Sequence, residues 1–291
     1  MNSLKIIKCL FSTLSPSETN FLMVIDVTSN PGSHLVHFQK SMSDSVENKT
    51  CKCSQTNTKP KLKILAIHGY RQNADTFKQK TGSFRKMVHK WAEFTYITAP
   101  HKVTLIDDLS QTDDINIGQS QDEEQYGWFF NRDDHTFRGI RKGGPAIGFE
   151  DSVRFVEEVF AKEGPFDGIL GFSQGACFVG LLCDLQQRHL TKCKFNFAIM
   201  SSGFKSGCLP HLKYFNETIT LPSLHVFGES DKIIPTEMSE ALSEAFLEPK
   251  IVKHPGGHYL PATAAQKHAY QSFFKEQYMR EDDADDEIID L

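Results

Sequence analysis

The sequence predicts an α/β fold in which a mostly parallel central sheet carries helices on both faces. An apolar run at residues 62–67 precedes a helical pattern at 77–91, and a second short strand at 94–97 follows. A strand, a helix and a strand in that order are typical of a parallel sheet covered by helices. With 291 residues, the chain is long enough for one large domain of this class.

The second half of the chain repeats this alternation after a polar, acid-rich segment at 102–144. A helical stripe at 148–161 leads to a short apolar strand around Ile169 and Leu170, and a second helical pattern covers 176–190. Further strands are expected at 195–200, 221–227 and 251–254, before a final helix that bears Tyr270, Phe273 and Phe274.

Composition divides the chain into three parts. Residues 61–278 carry the alternating pattern and form the predicted α/β domain. Residues 1–60 are expected to be a disordered or weakly attached extension, because the stretch from Ser41 to Lys61 is polar and has few core-forming residues. The acidic residues 279–291 are expected to form a disordered tail.

The start of the chain and the cysteines bear on the expected location. The opening faintly resembles a targeting sequence, since Lys5 and Lys8 precede the first acid at Glu18, but it contains no arginine. Seven cysteines at irregular spacing indicate reduced thiols in an intracellular protein. We therefore expect a protein of the cytoplasm and also of the nucleus, with mitochondrial targeting by residues 1–60 as the alternative.

Several binding functions are not indicated by the composition. A net charge of -5 and a pI near 6.2 do not fit a nucleic-acid surface. No apolar run approaches the roughly eighteen residues of a membrane span, so we expect no stable membrane insertion. Cys51 and Cys53 are too close together for a zinc pair, and no Gly-x-Gly-x-x-Gly loop is present, so we expect no metal and no cofactor. The sequence names no protein partner.

A candidate nucleophile lies in the segment Gly171-Phe172-Ser173-Gln174-Gly175, which has the form Gly-x-Ser-x-Gly between a predicted strand and a predicted helix. In this context the serine occupies a strained turn, and the glycines leave room for the backbone and the helix to pass closely. The pattern therefore indicates that Ser173 is a nucleophile. The alternative is an ordinary connection in which Ser173 caps the helix.

Two later loops supply candidates for a base and an orienting acid. Asp231 and Glu229 follow the strand at 221–227, and we favour Asp231 because it lies deeper in the loop, where ligand sites of open α/β sheets gather. His258 stands after two glycines beyond the last strand, whereas His254 precedes a proline and is expected to be structural. Both carboxylates can also belong to a solvated turn.

The chain order of these residues predicts a mechanism. Ser173, Asp231 and His258 follow one another as in α/β-hydrolases, and other families with such a triad have a different order. His258 would take the proton of Ser173 as the serine attacks an acyl carbon, and Asp231 would orient the imidazole. The backbone N–H groups of Tyr70 and Gln174 would hold the oxyanion.

An aromatic cluster interrupts the polar segment and suggests a wall of the binding site. Tyr126, Trp128, Phe129 and Phe130 lie close together between acidic neighbours. Long connections in compact domains are commonly functional, and an apolar patch on such a loop often lines a pocket. We expect these four residues to contact an apolar part of the substrate. The alternative is that the rings pin the loop to the core.

Longer segments of the sequence resemble the FSH family of serine hydrolases over about 61–278. The matching segments are AIHGYRQN at 66–73, GPFDGILGFSQGA at 164–176, LPSLHVFG at 221–228 and GGH at 256–258. The resemblance implies an α/β-hydrolase that cleaves carboxylic esters of medium or long acyl chain, a small-molecule substrate, by the triad Ser173, Asp231 and His258. An acyl-thioesterase with the same triad is the alternative, followed by a non-catalytic ligand-binding member of the fold.

Overall fold

The computed structural model describes residues 59–103 and 124–286, together with two short strands nearer the start of the chain. The chain divides into two compact units, Met1–Lys59 and Pro60–Leu291. In the first unit, strands β1 (Met23–Ile25) and β2 (Val36–Phe38) pair in antiparallel fashion. Apart from these two strands, residues 1–58 lie outside the described residues. The expected disorder or weak attachment of residues 1–60 therefore stays a prediction.

The second unit contains a sheet of six strands, all paired in parallel, in the order β10-β9-β8-β7-β3-β4. The strands are β3 (Leu62–Ile67), β4 (Ala92–Ile97), β7 (Gly168–Phe172), β8 (Phe197–Ser201), β9 (Ser223–Gly228) and β10 (Lys250–His254). A separate antiparallel pair joins β5 (His101–Lys102) to β6 (Tyr126–Gly127). The predicted parallel α/β sheet is confirmed.

Helices cover both faces of this sheet. They are α1 (Ala74–Lys80), α2 (Gly82–Val88), α3 (Phe149–Glu163), α4 (Gln174–Gln187), α5 (Thr236–Ser243) and α6 (Ala264–Asp286). One core holds buried side chains of α3, α4 and α5, and the other holds those of α1, α2 and α6. Every residue of the central strands β7 and β8 is buried, which is why their sequences are apolar without alternation.

The helical pattern predicted at 77–91 is two helices and not one. The break falls at Thr81, whose hydroxyl donates to the carbonyl of Phe77 at 2.8 Å and contacts the hydroxyl of Tyr96 at 2.5 Å. Beyond α2 the chain must turn, because strand β4 is in register with β3 from Ala92 onward. The spacing of apolar residues within 77–91 does not show where this turn must fall, because the position of the turn is set by the pairing of β4 with β3.

The final helix is longer than the sequence pattern suggested. Helix α6 continues to Asp286 and so includes the first part of the acidic segment 279–291, while 287–291 lie outside the described residues. Among the helices that the structure describes, none is both long and apolar enough to cross a bilayer.

Among the described residues, burial lowers the pKa of four histidines, which are His68, His211, His225 and His254. Burial lowers the pKa of His68 and of His211 to about 4, and it lowers the pKa of His225 to about 3. In His68 a hydrogen bond to the backbone of Gly69 opposes this effect only in part. In the unfolded chain each imidazole takes up a proton near its ordinary pKa of about 6.5.

These histidines should make the fold sensitive to acid. Between about pH 6.5 and pH 4 the folded state binds fewer protons than the unfolded state, so the free energy of unfolding falls as the pH falls. Each histidine contributes at most about 1.4 kcal/mol per pH unit in this window. Urea unfolding of His225→Gln should show a shallower dependence on pH than the parent. Equal slopes for parent and His225→Gln would contradict the assignment.

Candidate active site

Ser173 occupies a sharp turn between β7 and α4. Its backbone has φ 53° and ψ -117°, a conformation that residues other than glycine rarely adopt. Its N–H donates to the carbonyl of Ser201 at 2.8 Å. A Cβ on Gly171 would lie 2.5 Å from the carbonyl oxygen of Gly175, and one on Gly175 would collide with the carbonyl oxygen of His68. Both glycines are therefore required by close backbone contacts, as the sequence motif predicts.

His258 contacts both of the other residues predicted to act with it. It lies on the loop between β10 and α6, where its Nε2 is 2.9 Å from Oγ of Ser173 and its Nδ1 is 2.7 Å from Oδ2 of Asp231. The competing His254 is buried at the end of β10, against the ring of Tyr259, and its ring nitrogens have no hydrogen-bond partner among the described residues. The structure thus brings Ser173, His258 and Asp231 together and leaves His254 apart.

The environment of Asp231 keeps its carboxyl group ionised. Burial acts to raise the pKa of Asp231, but the hydrogen bond and charge of His258 and the N–H groups of Ile234 and Ile233 outweigh it, so the pKa lies below its ordinary value. Oδ1 accepts from both of these N–H groups at 2.9 Å. Glu229, the competing carboxylate, is exposed.

The hydrogen bonds determine the tautomer of His258. An ionised carboxylate only accepts hydrogen bonds, so Nδ1 of His258 must carry the proton that is shared with Asp231. Whenever the ring is neutral, Nε2 is then an acceptor that faces the hydroxyl of Ser173. The imidazole is therefore oriented to accept a proton from the serine.

The loop after β3 carries Tyr70, one of the two predicted oxyanion donors. Nε2 of His68 accepts from the N–H of Ala99 at 3.0 Å, so the proton of the neutral ring is on Nδ1, which donates to the carbonyl of Gly69 at 2.7 Å. In a trans peptide the N–H of the next residue points away from this carbonyl. The buried His68 thereby fixes the direction of the Tyr70 N–H.

Gln174, the other predicted donor, begins helix α4, and its backbone N–H and its side chain have different functions. As the first helical residue, its N–H has no acceptor within the helix. Its side chain is fully buried, and Oε1 accepts from the N–H of Trp128 at 3.0 Å while Nε2 donates to the carbonyl of Phe129 at 2.6 Å. The side chain therefore attaches the aromatic segment to the turn of Ser173. Sequence reasoning missed this role, because nothing local marks a contact across 45 residues.

Three of the four aromatic residues expected to contact the substrate lie in the core, and Tyr126 does not. Trp128, Phe129 and Phe130 are buried in the core, and the indole of Trp128 stacks on Phe178 at 5.2 Å between ring centres. Its Nε1 donates to the carbonyl of His68 at 2.8 Å. Tyr126 is half-buried and donates to the exposed Glu124. The alternative, that the rings pin this segment to the core, describes the three buried rings.

A small cavity of about 40 Å³ lies beside Ser173 and His258. A water needs about 10–15 Å³ by this measure, so the cavity has room for roughly three. Its other walls include Tyr70, Gln72, Phe137, Phe172, Ile233 and Ile234. A larger groove of about 650 Å³ is lined by polar residues of α1 and its neighbours and contains none of the candidate site residues. Within the described ranges, no group of three or more His, Cys, Asp or Glu side chains could hold a metal ion.

Comparison with known proteins supports the resemblance seen in the sequence. An esterase of Anopheles gambiae is 54% identical over 217 residues, which cover 75% of this chain and 78% of the relative. Esterase OVCA2 of Danio rerio is 42% identical over 222 residues, covering 74% and 96% of the two chains. The crystal structure of Zea mays acyl-protein thioesterase 2 is similar with a TM-score of 0.54 at 15% identity, covering 76% and 96%, which shows a shared α/β-hydrolase fold.

The family described as Serine hydrolase (FSH1) matches residues 57–270. This range contains most of the described α/β unit and all of the residues that meet around Ser173. The chain belongs to the FSH1 family of serine hydrolases and is an enzyme of that class.

Proposed function

We propose that this enzyme hydrolyses carboxylic esters, with Ser173 as nucleophile, His258 as general base and Asp231 as the orienting acid. The observation that carries the proposal is the continuous chain of hydrogen bonds from Oγ of Ser173 through both ring nitrogens of His258 to Oδ2 of Asp231. At one end of this series of hydrogen bonds lies Ser173, which occupies a strained turn and lines the cavity. The relatives named as esterases favour oxygen esters over acyl thioesters, which would use the same residues.

The first half of the reaction forms an acyl-enzyme. Nε2 of His258 takes the proton of Ser173 while Oγ attacks the acyl carbon, and the ionised Asp231 stabilises the imidazolium. The N–H groups of Tyr70 and Gln174 bind the oxyanion of the tetrahedral intermediate. When the intermediate collapses, the bond from the acyl carbon to the alkoxy oxygen breaks, and His258 gives its proton to the departing alcohol.

The second half reverses these roles with water. His258 removes a proton from a water molecule, whose oxygen attacks the acyl carbon of the acyl-enzyme. The bond to Oγ of Ser173 then breaks, and the serine regains its proton from His258 as the carboxylic acid leaves. Each half returns the imidazole to the neutral tautomer that Asp231 maintains.

The acyl part of the substrate should be apolar and of medium to long chain. Phe137, Phe172, Ile233 and Ile234 give the cavity beside Ser173 an apolar lining. Because the cavity is small, an acyl group of more than a few carbons must displace these side chains or extend past them. Burial of each additional CH₂ against such a lining contributes about 0.8 kcal/mol at most.

Replacement of Ser173 tests the nucleophile. Ser173→Ala should lower kcat for ester hydrolysis by about 10⁶-fold, since the nucleophile of a triad is removed. Ser243→Ala, the same change in helix α5, should retain the parent activity, because its hydroxyl only donates to the carbonyl of Glu240. Turnover by purified, folded Ser173→Ala at more than a trace of the parent rate would exclude the proposed mechanism.

Replacement of the two carboxylates tests the orienting acid. Asp231→Asn should lower kcat by about 10⁴-fold, because the amide no longer holds His258 in the required tautomer. Glu229→Gln, two residues away on the exposed side of the same turn, should remain close to the parent. The opposite pattern in steady-state kinetics would transfer the role to Glu229.

A series of esters with graded acyl length tests the apolar lining. The value of kcat/KM should rise from short to medium chains, because each added CH₂ removes apolar surface from water. Ile234→Ala should favour the longer esters further by widening the cavity, whereas Ile219→Ala, the same change in the core away from the cavity, should not alter the length preference. A flat profile in the parent would contradict an apolar acyl site.

A further inference from the structure

Gln72, a residue that lines the cavity, carries a polar atom with no role in the mechanism above. Gln72 is 1% exposed, and its Nε2 has no hydrogen-bond partner among the described residues. The same residue lines the cavity beside Ser173 and His258. A buried donor without an acceptor is unfavourable, so such a group is typical of a place where a ligand supplies the acceptor.

The other polar atoms of Gln72 are all engaged. Its N–H donates to the carbonyl of Gly69 at 3.2 Å, and its carbonyl accepts from the N–H of Tyr126 at 3.0 Å. Its side-chain Oε1 accepts from the N–H of Gly69 at 3.2 Å. Because that N–H can only donate, it determines which end of the amide faces Gly69. The unpartnered atom is therefore the NH₂ group, with two hydrogens to donate.

The amide of Gln72 belongs to the same turn as Tyr70, one of the two predicted oxyanion donors. Gln72 closes the turn that contains Gly69 and Tyr70, and its side chain bonds to the residue directly before the Tyr70 N–H. The other cavity walls named above are mainly apolar, apart from the serine and histidine already assigned. In an ester bound for attack by Ser173, the acceptor nearest the reacting carbon on the Tyr70 side is the carbonyl oxygen.

We propose that Nε2 of Gln72 is a third hydrogen-bond donor to the acyl carbonyl oxygen of the bound ester, in addition to the N–H groups of Tyr70 and Gln174. This inference rests on the proposed function. The amide contributes most when negative charge develops on that oxygen in the tetrahedral intermediate. Its Oε1 meanwhile holds the loop, so one side chain both anchors the turn and contacts the substrate.

Two variants share only the loss of the donor. Gln72→Glu keeps an oxygen for the Gly69 N–H but cannot donate when ionised, and Gln72→Met keeps the length of the side chain but has neither group. Both should lower kcat on an ester by about 10²- to 10³-fold with a small change in KM, as when one oxyanion donor is removed. A role in anchoring the loop alone would spare Gln72→Glu, and an effect of charge alone would spare Gln72→Met.

A second substrate makes the test specific for the carbonyl oxygen. In the matched thionoester sulfur replaces that oxygen, and sulfur is a weak acceptor. The loss in kcat for both variants should be at least about tenfold smaller on the thionoester than on the ester. The proposal is overturned if either variant keeps the parent's kcat on the ester, or if both substrates lose kcat equally.

The Ser173→Ala variant separates this proposal from the one on which it rests. If Ser173→Ala is inactive while the Gln72 variants turn over the ester like the parent, only the role of Gln72 fails. If Ser173→Ala retains turnover, the proposed function itself fails. Thermal unfolding of each variant establishes that the compared proteins are folded.

Discussion

The close contact between the turn of Ser173 and the end of strand β3 is the constraint on which the site depends. A Cβ on Gly175 would lie 2.5 Å from the carbonyl oxygen of Ile67 and would also collide with that of His68. The same carbonyl of His68 accepts the indole N–H of Trp128. The close contact of the backbone at Gly175 with the backbone at 67–68 therefore fixes the positions of Ser173, the loop of Tyr70 and the aromatic segment relative to one another.

Hydrogen bonds of buried side chains hold the turn of Ser173, the loop of Tyr70 and Asp231 in place, while Ser173 and His258 line the cavity. The ring of His68 is neutral because burial lowers its pKa to about 4, so it can accept from one backbone group and donate to another. Gln174 attaches the aromatic segment through both ends of its amide. Asp231 is held by two backbone N–H groups before it meets His258. Preorganisation of this kind lowers the cost of reorganising dipoles during a reaction.

The sequence predicts the parallel sheet and the turn of Ser173, because both leave local signals. Apolar runs mark buried strands, and glycines on either side of Ser173 mark the close backbone approach. The choice between Asp231 and Glu229 depends on which carboxylate faces His258, which spacing alone cannot show. The interior position of Trp128 was one of two alternatives that the sequence left open, because its partners, Phe178 and His68, are distant in the chain and leave no local signal. The turn after α2 follows in the same way from the pairing of β4 with β3.

The central claim is that His258 activates Ser173 as the nucleophile. Its most direct test is covalent labelling of the full chain with a fluorophosphonate, followed by mass spectrometry to locate the adduct. We expect one adduct, on the peptide that contains Ser173, and much slower labelling of the same residue in His258→Ala. An adduct on another residue, or labelling of Ser173 at the parent rate without His258, would contradict it.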